Sequence, residues 1–219
     1  TSEVRVGGST YYHGLKAGRV IYKDGAVAGS DDPVNNHVWR VRKDWSNGDL
    51  TTDAANYYGY TSASDVSAEQ IATVKGQYEY DWMNWPAAWG APYDDVDGNG
   101  SYDPNTDIPG YPGADQTLWT IANDVPTIVS AAGDSIGYQS TAPNLYGADP
   151  IGIELQITMW GYAFGTGDPL GNMIFKKATM KYTGLPLSPA DSRMDSLYFT
   201  QWSDPDLGTY TDDYVGCDI

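Results

Sequence analysis

The chain has 219 residues, 41% of them hydrophobic, which is enough for one large folded domain or two small ones. Its formal net charge of -17 at pH 7 argues against nucleic acid as a partner, because phosphate binding needs clustered Lys and Arg. No apolar run approaches the ~20 residues of a membrane-spanning helix, and a single cysteine, Cys217, excludes an internal disulfide.

Nearly all of the acidic residues are aspartate. Of the 29 Asp and Glu residues only four are Glu, which leaves 25 Asp. Asp favours turns, helix caps and short oxygen cages around cations, whereas Glu is typical of helix surfaces. Together with 25 Gly and 13 Pro, this composition predicts a loop-rich β protein.

The first predicted elements are short strands separated by Gly and Asp turns, at 18–23 and 37–43. A helix follows from about residue 68 to about residue 80, since Ile71, Val74 and Tyr78 recur at helical spacing. Asp65 or Ser67 would cap its N-terminus, and Pro86 prevents its continuation.

A strand is predicted at 117–124, and the clearest strand pattern comes later, at 151–159, where every odd position is apolar. The apolar positions become even-numbered at Trp160, which predicts a β-bulge. A strand within 172–182 changes phase likewise at Lys176–Lys177, and a further strand is predicted at 195–202.

These elements predict a mainly β chain: an antiparallel β-sandwich or jelly-roll-like body with one short helix and long loops, forming a single domain over residues 1–219. Residues 65–125 would be a helix-, Trp- and Asp-rich insertion or flank. The chain starts without Met and stops without a closing cap, so we expect a fragment of a longer protein.

The segment 94–107, DDVDGNGSYDPNTD, predicts a calcium-binding loop. It follows the spacing D-x-D-x-N-G-x-x-D, in which alternate residues turn their oxygens toward one point and Gly100 supplies the backbone turn. Ca²⁺ takes roughly six to eight oxygens, and the last ligand is open between Asp107 and Asp94 because position twelve is Thr106. The alternative is a solvated acidic turn. The predicted ligands are Asp95, Asp97, Asn99, Ser101 through its carbonyl, Asp103 and Asp107.

A second acidic segment lies at 203–218. Its spacing matches no loop rule, so a second metal site and an Asp-rich turn remain equal alternatives. The candidate ligands are Asp204, Asp206, Asp212, Asp213 and Asp218.

Catalytic patterns are weak. Ser135 lies in a G-x-S-x-G sequence, but both histidines, His13 and His37, precede it, whereas a nucleophile elbow needs a downstream base. Glycoside hydrolysis needs only two carboxylates, for which Glu79 and Glu154 are candidates. We therefore expect no enzyme, and glycan hydrolysis stays as an alternative.

Three tryptophans, Trp82, Trp85 and Trp89, follow the predicted helix. With Tyr93 beyond them, their spacing could form a platform on which sugar rings stack. Large aromatic side chains more often pack a core, so we favour packing of the helix and loop against the sheet.

Several stretches of the chain resemble a group of large secreted bacterial proteins that often end in a type IX secretion sorting domain. The acidic loop by itself resembles EF-hand, dockerin and thrombospondin-type calcium loops. The first resemblance implies export. At the calcium concentration outside cells, even a loop that binds Ca²⁺ weakly would be occupied. It rests on 11–20, 91–125, 144–164, 170–184 and 194–218.

We therefore expect a secreted or cell-surface module with a structural or adhesive role, stabilised by Ca²⁺. Its partners would be other protein subunits or cell-surface components, with polysaccharide as a further possibility and neither nucleic acid nor a membrane span involved. The alternatives are a carbohydrate-binding or glycan-hydrolysing module that uses Trp82, Trp85 and Trp89, and a subunit of a self-assembling filament.

Overall fold

A computed structural model describes residues 15–30, 37–125, 151–165, 167–186 and 188–199, and the fold reported below is that of these ranges. The chain there is mainly β, as the composition predicts. The strands are β1 (Lys16–Ala17), β2 (Val20–Lys23), β3 (Ala26–Ser30), β4 (Trp39–Arg42), β5 (Tyr93–Asp94), β6 (Ile108–Pro109), β7 (Gln116–Asn123), β8 (Ile153–Gly161) and β9 (Phe175–Tyr182).

All strand pairs are antiparallel. One sheet has five strands in the order β1-β7-β8-β9, and β4 pairs with β7 on the same side as β1. Two smaller sheets are the hairpin of β2 with β3 and the pair of β5 with β6. The strands predicted around 18–23, 37–43, 117–124, 151–159 and 172–182 are confirmed.

The pairing of β8 with both neighbours is continuous, and the predicted β-bulge at Trp160 is wrong. Trp160 lies opposite Thr117 of β7 and Phe175 of β9, in the register that every other pair of these strands keeps. The phase change predicted at Lys176–Lys177 is equally absent from the pairing. The change from odd to even apolar positions therefore needs a different explanation.

Strand β8 has buried residues on both faces, which explains the misleading pattern. Glu154 and Thr158 are buried on one face, and Ile153 is buried on the other. A strand that is covered on both sides has no strict alternation of apolar and polar residues. Hydrophobicity along β8 thus reports local neighbours and gives no signal of a register shift.

The prediction of one short helix is wrong, since the described chain has two α-helices, α1 (Thr51–Tyr58) and α2 (Ala68–Met83). The second is the predicted one, and Ser67 caps it in a capping box with Gln70. The first has no side-chain N-cap and only two buried residues, so the sequence gives little sign of it. The two helices pack together around Leu50, Ala54, Val74 and Tyr78.

The main core lies on one face of the five-stranded sheet. Trp39 of β4 and Trp119 of β7 are directly opposite each other and share that face. The segment after α2 closes over them, because Trp85 and Ala91 belong to the same cluster. The residues that follow α2, which lead into the acidic loop, are therefore anchored to the sheet.

Two further predictions concern a strand near the end of the described chain and the absence of a membrane-spanning helix. The strand expected at 195–202 is not formed in its described part, 195–199, where Tyr198 is 89% exposed. Neither described helix combines the length and the apolar composition that crossing a membrane would require.

Candidate metal site

The acidic loop is closed at its base by the short sheet of β5 and β6. Tyr93 pairs with Pro109 and Asp94 with Ile108, so the two ends of the loop lie side by side. Within the loop Gly98 and Gly100 adopt positive φ angles of 72° and 76°, which glycine accepts without strain. The chain can therefore turn tightly where the sequence pattern requires it.

Three carboxylates converge inside this loop, and we call them the aspartate cluster: Asp95, Asp97 and Asp107. One carboxylate oxygen of each lies within 4.8 Å of those of the other two. Asp107 is buried with 2% exposure, Asp95 is half-buried, and Asp97 is exposed. Of the two candidates for the last ligand, the structure brings Asp107 to the cluster, and Asp94 is not part of it.

Asp107 is held by the backbone of the loop itself. Its Oδ1 accepts a hydrogen bond from the Val96 N–H at 3.0 Å, and its Oδ2 accepts one from the Asp103 N–H at 2.8 Å. The Asp107 N–H in turn donates to the Asp103 carbonyl at 2.7 Å. These bonds tie the end of the loop back to its beginning and fix the direction of the buried carboxylate.

Asp95 and Asp97 also accept hydrogen bonds from within the loop. The Asp95 carboxylate accepts from Asn99 N–H at 3.1 Å and from Gly100 N–H at 2.8 Å. The Asp97 carboxylate accepts from Asn99 N–H at 3.1 Å and from the Asn99 side-chain amide at 2.7 Å. Because a carboxylate oxygen has more than one lone pair, each still has an acceptor position for a cation.

The other predicted ligands are placed differently. The Asn99 side-chain oxygen accepts from Ser101 N–H at 2.7 Å, and both residues are exposed. The Asp103 carboxylate accepts from the backbone and the side chain of Asn105, each at 2.9 Å, and these bonds lower the pKa of Asp103. Asp103 does not belong to the converging carboxylates.

Desolvation, and after it the negative charge of the cluster, raises the pKa of two neighbouring phenols, those of Tyr93 and Tyr102. The pKa of Tyr93 is raised, first by desolvation and then by the charges of Asp95, Asp107 and Asp97. The pKa of Tyr102 is raised too, chiefly by burial and then by Asp107. A cation among these carboxylates would oppose the electrostatic part of both shifts.

The loop is fastened to the end of α2 through a reciprocal pair of hydrogen bonds. The Tyr102 hydroxyl donates to the Trp82 carbonyl at 2.5 Å, and the Trp82 indole N–H donates to the Pro104 carbonyl at 3.2 Å. The Tyr102 ring also meets the ring of Tyr93 edge-on, at 5.5 Å between centroids. Any change that rigidifies the loop therefore also rigidifies this junction.

The tryptophans do not form the exposed row that the less favoured possibility, a ligand platform, would require. Trp85 is 4% exposed and lies in the core, where its indole N–H donates to the Pro92 carbonyl at 2.7 Å. Trp82 and Trp89 are half-buried and pack against the same cluster. The favoured prediction, in which these rings pack the helix and loop against the sheet, agrees with the structure.

Glu154 is also unsuited to the glycosidase alternative. It is 5% exposed, and its carboxylate accepts hydrogen bonds from Val20 N–H at 3.0 Å and from the Gln156 side-chain amide at 3.3 Å. A carboxylate with these partners joins the hairpin of β2 and β3 to the main sheet, which is a structural role.

Asp124 is the most deeply buried carboxylate of the described residues, and no local pattern in the sequence predicts its role. It is 0% exposed, and it accepts hydrogen bonds from three consecutive N–H groups, those of Ile151, Gly152 and Ile153, at 2.6–3.1 Å. Its partners lie 27–29 residues further along the chain. It joins the end of β7 to the start of β8.

Asp81 is a second buried carboxylate that the sequence does not indicate. It is 2% exposed and accepts a hydrogen bond from Arg40 N–H at 2.9 Å, and its other oxygen lies 2.7 Å from His37 Nε2. Its position in the last turn of α2 and the backbone donor of β4 make it part of the contact between helix and sheet.

Several predicted residues lie outside the described ranges. They are Ser135, Cys217, and the possible second metal ligands Asp204, Asp206, Asp212, Asp213 and Asp218.

Comparison of the chain with family models, with curated proteins and with solved structures finds no match.

Proposed function

We propose that the chain is a calcium-stabilised structural module of an extracellular or cell-surface assembly. The acidic loop would hold one Ca²⁺ at the aspartate cluster, and the ion would hold the loop against the end of α2. The observation that supports this is the convergence of three carboxylates within 4.8 Å.

Charge is the first argument for a cation. Three carboxylates whose oxygens lie within 4.8 Å of one another repel each other. In a chain with a net charge of -17, the field of the other acidic residues adds to this repulsion. Backbone N–H groups offset part of this charge, but each carries only a partial positive charge. A divalent cation offsets it directly, and carboxylate oxygens are the ligands that Ca²⁺ prefers.

The mechanical consequence follows from the hydrogen bonds of the loop. Asp107 orders its own end of the loop through Val96 and Asp103, and Tyr102 fastens the middle to Trp82. An ion shared by Asp95, Asp97 and Asp107 would join the exposed start of the loop to its buried end. Loop, helix end and sheet core would then resist unfolding as one unit.

The expected stabilisation follows from mass action. An ion that binds only the folded chain adds RT ln(1 + [L]/Kd), which is ~1.4 kcal/mol at tenfold excess over Kd. This is a useful part of the roughly 5–15 kcal/mol that stabilises a typical domain. An extracellular location is consistent with such a weak site, because Ca²⁺ sites of extracellular modules have Kd values of about 10⁻⁴ to 10⁻³ M.

Thermal unfolding with Ca²⁺ and with EGTA tests this proposal. We expect the melting temperature of the wild-type chain to rise with Ca²⁺ and to fall in EGTA. Calorimetric titration with CaCl₂ should give about one ion per chain at this loop. The Asp107→Asn variant should lose this response, because the buried ligand of the cluster is then neutral.

The matched control is Asp94→Asn, which removes the same unit of charge from an exposed residue beside the cluster. It should keep most of the Ca²⁺ response if the site requires specific ligands. Identical melting curves in Ca²⁺ and EGTA would contradict the proposal, and equal losses in both variants would reduce it to general charge screening.

This proposal includes a structural or adhesive role, protein or cell-surface partners, a sandwich-like arrangement of the sheets and a secreted location. The burial of Trp85 argues against the polysaccharide-binding alternative, because Trp85 would be the middle ring of the platform on which sugar rings stack.

A further inference from the structure

The five-stranded sheet has one edge, that of β9, to which no strand of the described chain is hydrogen-bonded. β9 pairs with β8 on one side, and the described ranges supply no strand or helix that pairs with its other side. Four consecutive residues of β9, from Lys176 to Thr179, are exposed. An unpaired edge of this length presents backbone donors and acceptors to any extended chain.

The edge formed by β4 shows how this protein covers a strand elsewhere. Helix α2 packs beside β4, and the buried carboxylate of Asp81 accepts a hydrogen bond from Arg40 N–H of that strand at 2.9 Å. A backbone donor at this edge is therefore satisfied within the chain. β9 has no such cover among the described residues, so the two edges have different roles.

The register identifies the free backbone groups of β9. Thr183 N–H donates to the Gly152 carbonyl at 2.8 Å, just beyond the end of the strand. In an antiparallel pair hydrogen-bonded residues alternate, so the odd-numbered residues of β9 bond to β8. The N–H and carbonyl groups of Lys176, Ala178 and Met180 therefore point away from the sheet.

The side chains of β9 select the kind of strand that can be added. Strand β9 carries Lys176, Lys177 and Lys181, in a chain with only 12 cationic residues and a net charge of -17. Lys181 lies over the ring of Tyr22, 5.3 Å from its centroid, so Lys176 and Lys177 are the lysines of the exposed part of the strand. Lysines on an edge repel a second copy of the same edge. They attract an extended segment that carries negative charge.

The described chain contains a segment that fits this edge. Residues 195–199 have the composition of a strand but form none, and Leu197, Tyr198 and Phe199 are 44%, 89% and 58% exposed. Asp195 begins the segment and accepts a hydrogen bond from Arg193 Nε at 3.2 Å, in an exposed ion pair. Asp191 precedes this pair, and Asp204 and Asp206 follow the segment in the sequence, so its surroundings carry a net negative charge. Large apolar side chains exposed this far are unusual on a monomer surface and are typical of a binding segment.

We propose that the free edge of β9 binds residues 195–199 of a second copy of this chain as an added strand. Each copy has both the edge and the segment, so the contact is head-to-tail and can propagate into an assembly. Leu197 and Phe199 would extend one face of the sheet and Tyr198 the other. The contact specifies the assembly role proposed above, and it does not require the calcium site.

Sedimentation of the full chain from about 1 μM to about 1 mM tests the contact, since this range covers weak interfaces. We expect association to grow with concentration. Ala178→Pro removes an outward N–H of an edge strand, where proline is tolerated, and should weaken association by at least about tenfold. The double variant Leu197→Asp and Phe199→Asp, in an exposed segment, should weaken it equally.

A second measurement does not depend on the folding of the proline variant. A synthetic peptide of residues 191–202, DSRMDSLYFTQW, should slow hydrogen exchange at the amides of Ala178 and Met180 in the wild-type chain. A scrambled peptide of the same composition should not. Both measurements should give the same result in Ca²⁺ and in EGTA, so this contact and the calcium site can fail separately.

Three results would overturn the proposal. The first is the absence of both association and peptide protection up to about 1 mM. The second is association that Ala178→Pro abolishes but the double variant leaves intact, which would mean that two β9 edges pair. The third is protection of Ala178 and Met180 that is independent of concentration, which would mean that the chain covers its own edge.

Discussion

Asp124 and the aspartate cluster accommodate negative charge in two different ways. Asp124 is one fully buried carboxylate that faces three backbone N–H groups, those of Ile151, Gly152 and Ile153. The cluster is three carboxylates that face one another and share a smaller number of donors each. Three donors that face one carboxylate offset much of its charge, whereas three converging charges gain from a cation.

The two regions also differ in what they join. Asp124 joins β7 to β8 inside the five-stranded sheet, so its loss would affect the whole fold. The cluster orders a surface loop between β5 and β6, so its loss would affect that loop and its junction with α2. The predictions below should therefore separate a constant contribution to stability from one that depends on Ca²⁺.

The largest effect is expected at Asp124. In Asp124→Asn the side-chain amide presents a donor to backbone donors, and at least one buried N–H loses its acceptor. We expect the free energy of unfolding to fall by about 3 kcal/mol, because hydrogen bonds to a buried charge each contribute about 1.5–3 kcal/mol. Urea denaturation measures this loss, which should be the same in Ca²⁺ and EGTA.

Asp168→Asn is the control for that measurement. The half-buried Asp168 carboxylate accepts one N–H, that of Leu170, at 2.9 Å. Its loss should lower stability by less than about 1 kcal/mol. A loss at Asp124 that is no larger than this, or one that Ca²⁺ restores, would contradict the contrast between the two regions.

A smaller effect is expected at the junction of the loop with α2. Tyr102→Phe removes the hydroxyl that donates to the Trp82 carbonyl, and we expect a loss of about 1 kcal/mol. If the ion and this bond order the same loop, the variant should also bind Ca²⁺ more weakly. The measurements are urea denaturation and calorimetric titration with CaCl₂.

Tyr57→Phe is the matched control, because Tyr57 is 49% exposed and its hydroxyl has no hydrogen bond in the described chain. It should change stability by less than about 0.5 kcal/mol and leave Ca²⁺ binding unaffected. A loop that binds Ca²⁺ equally well with and without the Tyr102 hydroxyl would be independent of the helix.

How far the sequence predicts these regions depends on how local their contacts are. Helix α2 and strand β8 were predictable because their periodicity or alternation lies within one short segment. The convergence of Asp95 and Asp97 follows from alternate positions in one turn. Asp124 was not predictable, since its partners lie 27–29 residues away and are brought to it only by the sheet.

The packing of the tryptophans was favoured but not fixed by the sequence, and the register of β8 was mispredicted for a related reason. Spacing alone allows Trp85 to be exposed or buried, and only the position of the sheet decides between them. The false bulge at Trp160 came from taking hydrophobicity as evidence of register, although β8 has buried residues on both faces. Tertiary neighbours set these features, and a single sequence shows them weakly.

The smallest effect concerns Tyr93, whose phenol is a probe of the charge of the cluster. Its pKa is raised by desolvation first and then by Asp95, Asp107 and Asp97. Negative charges disfavour the phenolate, so a Ca²⁺ ion among them favours it and lowers the pKa. Because desolvation is unchanged, the pKa should stay above its ordinary value.

We expect ultraviolet difference titration of wild type against Tyr93→Phe to show this decrease in the pKa of Tyr93 on adding Ca²⁺. Asp107→Asn should lower the pKa of Tyr93 without Ca²⁺ and remove the response to it. A Tyr93 pKa that Ca²⁺ leaves unchanged, while the ion still stabilises the chain, would place the ion elsewhere.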